Sequence, residues 1–566
     1  MTAPAPRTIA ELVRARADHV PDALALRFER GGEWLAWSWQ TLWRRSSAAA
    51  AMLHDRGIRP RDHVLMVVPD PLDAVPMLLG VWRLGAVPIQ IGLPYRLASV
   101  GAFVEQLGTT AHRLQSDVVL VSAELAAVAP PSPALRVVPV GCPTDDEDTE
   151  RGLPDVDPAA APALIQLTSG STGYPRGVVI PHDRLLEHMA AMSAALPSHD
   201  RSIAVSWLPL HHDMGLIGGL LFPLYNGFPG HMISPAAFRR RPLCWLEAMS
   251  RFRGTICAAP PSAYGICLQV AEQAQAAGLD LGAWDCAMVG AEPIAPTLLR
   301  RFAEAFAPVG FRPTAFFPVY GLAEATVAVT FPRLGAPTRF DVVEGDALER
   351  GGRATPARPD GAGRVLEFTG VGRPIANTTL RIVGERGATL GEREVGEIHV
   401  RSTTLMERYF DDAAATAAAF ADGWLATGDL GYLADGVLFV TGRKKDVIIK
   451  GGHNLVPAAV EDVAGADPDV RTGCVAAVGV WASDLDTELV HVVCETRVAP
   501  ERHREVADRL RERLQAHGIG VDRIVLVAPG VLPRTTSGKI RRADVRAALA
   551  SDAFDVEAAL QAIGRP

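Results

Sequence analysis

Between residues 9 and 329, short unbroken apolar runs alternate with stretches whose apolar residues recur every three or four positions. Residues 64–68 (VLMVV) are apolar at every position, which predicts a strand buried on both faces. Residues 74–84 follow a helical period, and 86–91 return to strand character. This strand–helix–strand rhythm predicts parallel sheets covered by helices. Leu185, Leu186, Met189, Met192 and Leu196 recur at helical spacing, so an amphipathic helix should run up to Pro197. The N-terminal stretch MTAPAPRTIAELVRARADHV lacks the uninterrupted apolar core of a signal peptide and reads as an amphipathic helix.

Further on the pattern changes twice. Residues 332–363 are rich in Pro, Gly and mixed charge, which predicts an irregular excursion or flexible connection. Strand-like runs follow at 379–383 and 397–402, and the runs 431–433 and 437–441 flank Asp435-Gly436, a β-hairpin signal. A third, β-rich unit is therefore expected here. From about residue 446 the order becomes strand, helix, strand, strand, helix, strand, at 448–449, 458–464, 474–480, 489–496, 504–516 and 523–527. A compact α+β unit of roughly 120 residues fits that order.

Composition narrows the class. A chain of 566 residues exceeds one core and should form at least two domains. Its 48% hydrophobic and 21% charged content is that of a soluble globular protein. The net charge of −8 argues against a nucleic-acid partner, and the arginine-rich 502–513 segment reads as solvated helix faces. The longest apolar run, 214–224, contains Gly and Pro and is too short to span a bilayer. The seven cysteines form no CxxC pair and no zinc spacing, which points to a reducing, cytoplasmic setting.

Candidate chemistry begins at TSGSTGYPRG, residues 168–177, where a loop dense in Ser, Thr and Gly and carrying Arg176 lies between two β-rich apolar runs. Backbone N–H groups, hydroxyls and one fixed positive charge suit a polyphosphate. No Lys-Ser/Thr pair follows and a strand comes next, so a Walker-type loop is excluded. Taken alone, the loop also fits a flexible hairpin. The segment Gly290-Ala291-Glu292 follows an apolar strand, and PVYGLAE (318–324) puts a ring, a glycine and a carboxylate after another. An adenine needs a stacking face and a close backbone, and a phosphate-bound metal needs a hard oxygen; Tyr320, Gly321 and Glu324 offer these. A core tyrosine and a surface glutamate are the alternatives. Asp429, in TGDL, suits ribose hydroxyls with Arg443 nearby, and PRTTSGK presents Lys539 on a Ser/Gly turn as a point charge for an anionic transition state.

In this order and spacing, TSGSTGYPRG, YGLAE, TGDL, GRKKD and PRTTSGK resemble the signature set of the adenylate-forming superfamily, which includes acyl-CoA synthetases, firefly luciferase and the adenylation domains of peptide synthetases. The resemblance runs over nearly the whole chain. It implies an α/β fold: a large N-terminal domain, residues 1–444, of two βαβ-type subdomains and a β-rich one, and a small mobile α+β C-terminal domain, residues 445–566. It implies ATP and Mg²⁺ as cofactors. Thr168, Ser169, Gly170, Ser171, Thr172 and Gly173 would hold the triphosphate with Arg176, where many members have Lys. Gly290, Ala291, Glu292, Tyr320 and Gly321 would surround adenine, and Thr168 and Glu324 would bind Mg²⁺. Asp429 and Arg443 would grip the ribose, Lys445 would be the hinge, and Lys539 would bridge carboxylate and α-phosphate.

The segments at 207–219 (WLPLHHDMGLIGG), 234–238, 241–245 and 321–326 look like fatty acyl-AMP ligases, which hand acyl groups to carrier-protein phosphopantetheine instead of coenzyme A. The 332–363 excursion lies where that branch carries an insertion thought to restrict the CoA-competent arrangement. His212 would sit beside the substrate carboxylate, although a packed core imidazole is an equal reading of one histidine. The double glycine at 451–452 is also common in CoA ligases. No Asp stands at 215–219 to meet an amino group, which disfavours an amino-acid substrate. Gly218, Gly219 and Gly265 suit either an alkyl tunnel or close packing. The expected activity is ATP-dependent formation of a fatty acyl-adenylate and transfer to an acyl carrier protein. An acyl- or aryl-CoA ligase and a non-catalytic nucleotide- or lipid-binding homologue are the alternatives.

Overall fold

In the computed structural model, the described residues are 5–93, 100–127, 135–144, 153, 156–168, 175–358, 363–482, 487–535, 538–551 and 553–554. The alternating pattern of the first half becomes two sheets. A four-stranded parallel sheet runs in the order Val87–Gln90, His63–Val67, Val118–Ser122, Arg136–Val140. The unbroken apolar run at 64–68 is one of its inner strands, buried on both faces. The helix that follows, Pro71–Arg83, starts where the pattern demands: the Asp70 carboxylate accepts from the Leu72 N–H, and Pro71 occupies a first-turn position that needs no donor.

The second sheet has seven strands in the order Phe316–Pro318, Cys286–Val289, Ile256–Ala259, Ala204–Ser206, Gly230–Met232, Leu24–Arg30, Glu33–Ser38. Only the edge strand Glu33–Ser38 is antiparallel. The helix expected up to Pro197 spans His182–Ala195, with Leu185, Met189 and Met192 buried in the shared core. A β-rich unit follows. Thr378–Val383, Gly396–Ser402 and Trp424–Ala434 pair antiparallel, and Val437–Arg443 folds back on Trp424–Ala434 around Asp435-Gly436.

One expectation is corrected. Within the stretch expected to be irregular, residues 340–351 are regular: Phe340–Glu344 pairs antiparallel with Val365–Thr369, and the helix Gly345–Gly351 lies between them. Val343, Leu348, Leu366 and Phe368 form a core with Tyr432 and Phe439 of the β-rich unit and with Val456 beyond it. Asp341 takes both terminal nitrogens of Arg393 (3.0 and 3.2 Å) and the Tyr432 hydroxyl (2.7 Å). The Pro and Gly content marked turns; the apolar partners come from a hundred residues downstream and carry no local signal.

Past Asp446 the chain builds its own core. Val470–Ala482 and Thr487–Thr496 are antiparallel, and Arg523–Val527 adds in parallel to the latter. Alternate residues face opposite sides, as a period of two requires. Val475, Ala477, Val490 and Val492 pack against Val460, Val506 and Leu510, while Ala476, Val478 and Val493 pack against Val545 and Leu549 of the helix Arg542–Ala550. The seven cysteines are all free thiols. Among the described residues no helix is long and apolar enough to cross a membrane.

Three of the large domain's buried histidines are His182, His188 and His231. Burial lowers their rings to about 4, about 3 and about 3, respectively, with Arg27 adding to the effect at His231. The folded sites refuse protons that the unfolded chain accepts near pH 6.5. Their contribution is complete above that pH and is lost as the pH falls toward 4 and then 3. At pH 5 each ring should destabilise the fold by about 2 kcal/mol relative to pH 7. Urea unfolding followed by tryptophan fluorescence should show a clearly lower midpoint at pH 5, and an unchanged midpoint would contradict neutral buried rings.

Candidate active site

The loop at 168–177 is held at both ends. Leu164–Thr168 and Arg176–Ile180 pair antiparallel with Thr168 opposite Arg176, and Arg408–Tyr409 adds a third strand beside Val178 and Val179. Gly177 is required at the base, because a Cβ there would come within 2.7 Å of Ile165 and 3.3 Å of Phe410. Ser169, Gly170, Ser171, Thr172 and Gly173 lie outside the described residues. The Arg176 guanidinium lies 5.3 Å from the centre of the Tyr409 ring and 3.9 Å from the Asp412 carboxylate.

Strand Leu164–Thr168 packs against a short turn, Ala323–Ala325, that carries Glu324. Burial raises the Glu324 carboxyl, and the Tyr409 hydroxyl, donating at 2.8 Å, partly opposes that rise. The turn is forced. A Cβ on Gly321 would fall 1.7 Å from the Val327 carbonyl oxygen. Thr326 adopts φ 66°, ψ −60°, and the Val327 N–H reaches the Ala325 carbonyl at 2.8 Å, a γ-turn of the strained hand. It is held from behind. The Thr326 hydroxyl donates to the Thr404 carbonyl at 2.6 Å, and the Ala328 N–H donates to His188 Nε2 at 3.1 Å. Nδ1 of the neutral His188 ring then carries the hydrogen and meets Thr404 Oγ1 at 3.0 Å.

Tyr320, Asp429 and Arg443 converge. The Tyr320 hydroxyl donates to Asp429 Oδ2 at 2.8 Å, and Arg443 Nε lies 3.0 Å from Oδ1. Asp429 and Arg443 are register partners on the hairpin, so the sequence places them locally. Burial, reinforced by Asp429, pushes the Tyr320 phenol well up, and Asp429 likewise raises the Arg443 guanidinium. Gly290 abuts Val319, with room for no Cβ (2.8 Å), and Ala291 takes a left-handed φ of 69°. The Glu292 carboxylate accepts from the Ser262 N–H (3.2 Å) and hydroxyl (3.3 Å), so it caps the helix Pro261–Leu268.

His212 precedes a carboxylate that sequence reading passed over. His212 Nδ1 lies 2.7 Å from Asp213 Oδ1, which also accepts from the Met214 N–H at 2.7 Å. Burial alone would raise the Asp213 carboxyl, but the charge and hydrogen bond of His212 and the charge of Lys539 hold it below the usual carboxylate range. Lys539 comes from the small domain. Its turn is closed by the Thr535 N–H donating to the Lys539 carbonyl (2.8 Å), with Gly538 at φ 89°. Asp213 is thus already engaged by His212 and by the Met214 N–H.

Asp213 opens an eight-residue π-helix, Met214–Leu221, that is apolar throughout. The glycines separate here. A Cβ on Gly219 would strike Ser206 Oγ (2.5 Å) and one on Gly265 would strike Thr472 of the small domain (2.7 Å), so both serve close packing. Gly218 has nothing within 4 Å. Lys445 sits between opposed anchors. Lys444 pairs with Glu397 of the β-rich unit at 3.1 Å, whereas Asp446 lies 3.6 Å from Arg542 of the small domain. Burial, with Arg443 adding to it, lowers the Lys445 ammonium.

The family model for AMP-binding enzymes matches residues 13–410. A putative acyl-CoA synthetase of Caulobacter vibrioides is 34% identical over 500 residues, covering 87% of this chain and 86% of that one. The medium-chain-fatty-acid–[acyl-carrier-protein] ligase JamA of Moorena producens is 37% identical over 401 residues, covering 68% and 67%. Among solved structures, a chain from structural and functional studies of fatty acyl-adenylate ligases of E. coli and L. pneumophila matches with a TM-score of 0.85 at 30% identity, covering 97% of this chain and 98% of that one.

The packing at Gly321 generates a direct test. Gly321→Ala must push the Val327 carbonyl away and shift the Glu324 turn by roughly 1 Å, which should slow acid-dependent ATP–pyrophosphate exchange at least about 100-fold. Circular dichroism should stay native, and near-normal exchange would show that the turn's position is immaterial.

Proposed function

The chain belongs to the AMP-binding enzyme family and is an adenylate-forming acid ligase that uses ATP, and from that premise we propose that it activates a fatty acid as acyl-AMP and passes the acyl group to the phosphopantetheine thiol of an acyl carrier protein. The observation that carries this reading is the convergence of Tyr320, Asp429 and Arg443 (2.8 and 3.0 Å), with Lys539 of the small domain close enough to help lower the Asp213 carboxyl next to His212.

In the first step a carboxylate oxygen attacks the α-phosphorus, the bond to the β-phosphate oxygen breaks, and pyrophosphate leaves with that electron pair. Both reactants are anions, so positive charge must meet them where water is excluded. Lys539 is assigned to the space between carboxylate and α-phosphate. His212, with Nδ1 directed to Asp213, presents its other nitrogen to the acid. The 168–173 loop and Arg176 take the leaving phosphates. Tyr320 and the Gly290–Ala291 backbone border adenine, while Asp429, held by Tyr320 and Arg443, takes the ribose hydroxyls. Glu292, its carboxylate taken by Ser262, is left a main-chain role.

Glu324 and Thr168 fit Mg²⁺. Both are hard oxygen donors, and among the described residues no group of three or more His, Cys, Asp or Glu converges to hold a metal unaided. That donor set suits an ion that arrives on nucleotide phosphates and keeps waters. Bound there, it would neutralise phosphate charge.

In the second step the thiol gives up its proton, the thiolate attacks the acyl carbon, and the bond to AMP oxygen breaks. Rotation about Lys445 would withdraw Lys539 and open the route for the thiol. The apolar π-helix beyond Asp213, with its open Gly218, supports an aliphatic acid. The contact between the 332–363 excursion and Val456 supports a restrained small domain, and with it a carrier in place of coenzyme A. The carrier activity of JamA agrees with this reading.

Two measurements test it. Lys539→Ala should slow adenylate formation by about 10²–10³-fold while transfer from supplied acyl-adenylate stays within about threefold of wild type; equal loss of both steps would sink the two-step reading. With ATP, Mg²⁺ and a panel of acids, mass spectrometry should find the acyl group on a phosphopantetheinylated carrier. Efficient coenzyme A thioester formation would establish the CoA-ligase alternative, and no acid-dependent pyrophosphate release would establish a non-catalytic homologue.

A further inference from the structure

We propose that Tyr409 is a positioning residue of the adenylation step: its hydroxyl fixes the Glu324 carboxylate and its ring seats Arg176, so that the metal-binding acid and the phosphate-loop cation are held at one spacing. The proposal rests on the assignment of Glu324 to Mg²⁺ made above.

Tyr409 belongs to the two-residue strand Arg408–Tyr409, which pairs with the strand that leaves the phosphate loop at Arg176. Its ring is buried. One end of the side chain meets Glu324 Oε1 at 2.8 Å, and the face of the ring receives the Arg176 guanidinium at 5.3 Å. The same segment grips both partners again. The Met406 N–H donates to the Glu324 carbonyl at 2.8 Å. Asp412, which caps the helix Ala413–Ala419 by accepting from the Ala415 N–H at 2.8 Å, offers its other oxygen to Arg176 at 3.9 Å. Residues 406–412 thus form a strut between the loop and the acid.

The geometry gives the phenol a definite task. It occupies Oε1, so a cation would be met by Oε2 in a fixed orientation. A carboxylate without that bond rotates about its last torsion and must be ordered each time a metal binds. Partners that orient metal-bound carboxylates are typically worth 10–100-fold in metal affinity or activity. The ring acts separately, by holding Arg176 where the phosphates lie.

The two tasks are separable with the purified full-length protein. Tyr409→Phe keeps the ring and removes the hydroxyl. The Mg²⁺ concentration for half-maximal ATP–pyrophosphate exchange should rise about tenfold or more. The enhancement of ATP binding by Mg²⁺, read by calorimetry without turnover, should shrink by a similar factor, while metal-free ATP binding and the acid KM stay within about threefold. Tyr409→Leu should weaken metal-free ATP binding as well, because Arg176 loses its seat. Glu324→Gln is the control. If it raises the Mg²⁺ requirement and Tyr409→Phe does not, the strut is disproved. An unchanged Mg²⁺ requirement in Glu324→Gln removes the Glu324 assignment itself, and the strut with it. Should Tyr409→Phe depress metal-free ATP binding and acyl transfer equally, Tyr409 is a packing residue only.

Discussion

A carboxylate and a triphosphate are both anions, and in a buried site they repel far more than in water. On the proposed reading the whole architecture answers to that repulsion. Arg176 and Arg443 are built into the large domain and are always present. The third cation, Lys539, belongs to a separate unit with its own core. Its charge reaches the Asp213 carboxylate of the large domain and helps hold that group ionised. His212 shares that carboxylate, so Asp213 steadies one group from each domain.

Holding anions at fixed distances also requires rigid backbone, and the segment from Tyr320 to Ala328 carries the strain this entails. A β-branched residue in the Thr326 conformation costs about 1–3 kcal/mol. The hydrogen bonds from Thr326 to Thr404, from Ala328 to His188 and from Met406 to Glu324 offset it. Thr404 and His188 reach the turn at Thr326 and Ala328, behind Glu324. They are distant supports, and the neutral state of His188 lets it accept on one side and donate on the other.

Local features were legible in the sequence and distant ones were not. The Asp435-Gly436 turn sets the hairpin, and a register shift between Leu430 and Gly431 brings Arg443 opposite Asp429, so that pair is settled within one hairpin although its exact register is not read from the turn. The unbroken run at 64–68 declares a doubly buried strand for the same reason. Tyr409 gives no such sign: it lies 85 positions from Glu324, and no spacing connects them. The order within 332–363 was hidden because its core partners, Tyr432 and Phe439, are remote. Asp213 adjoins His212 in the sequence, but Lys539, whose charge it meets, is remote.

The anchors around Lys445 are unequal. Asp446 and Arg542 are both mostly buried, at 12% and 17% side-chain exposure, whereas Lys444 is 62% exposed opposite Glu397. Exposed pairs hold weakly and are screened by salt; buried ones are not. If Lys445 is the hinge, as proposed, the axle is welded to the door and only latched to the frame. A door hung this way swings about one line and sweeps a single arc, so an incoming thiol would meet one opening from one side. The latch is also the element that ionic strength loosens first, which would make the ease of the swing, and not its path, the property that the surroundings can adjust.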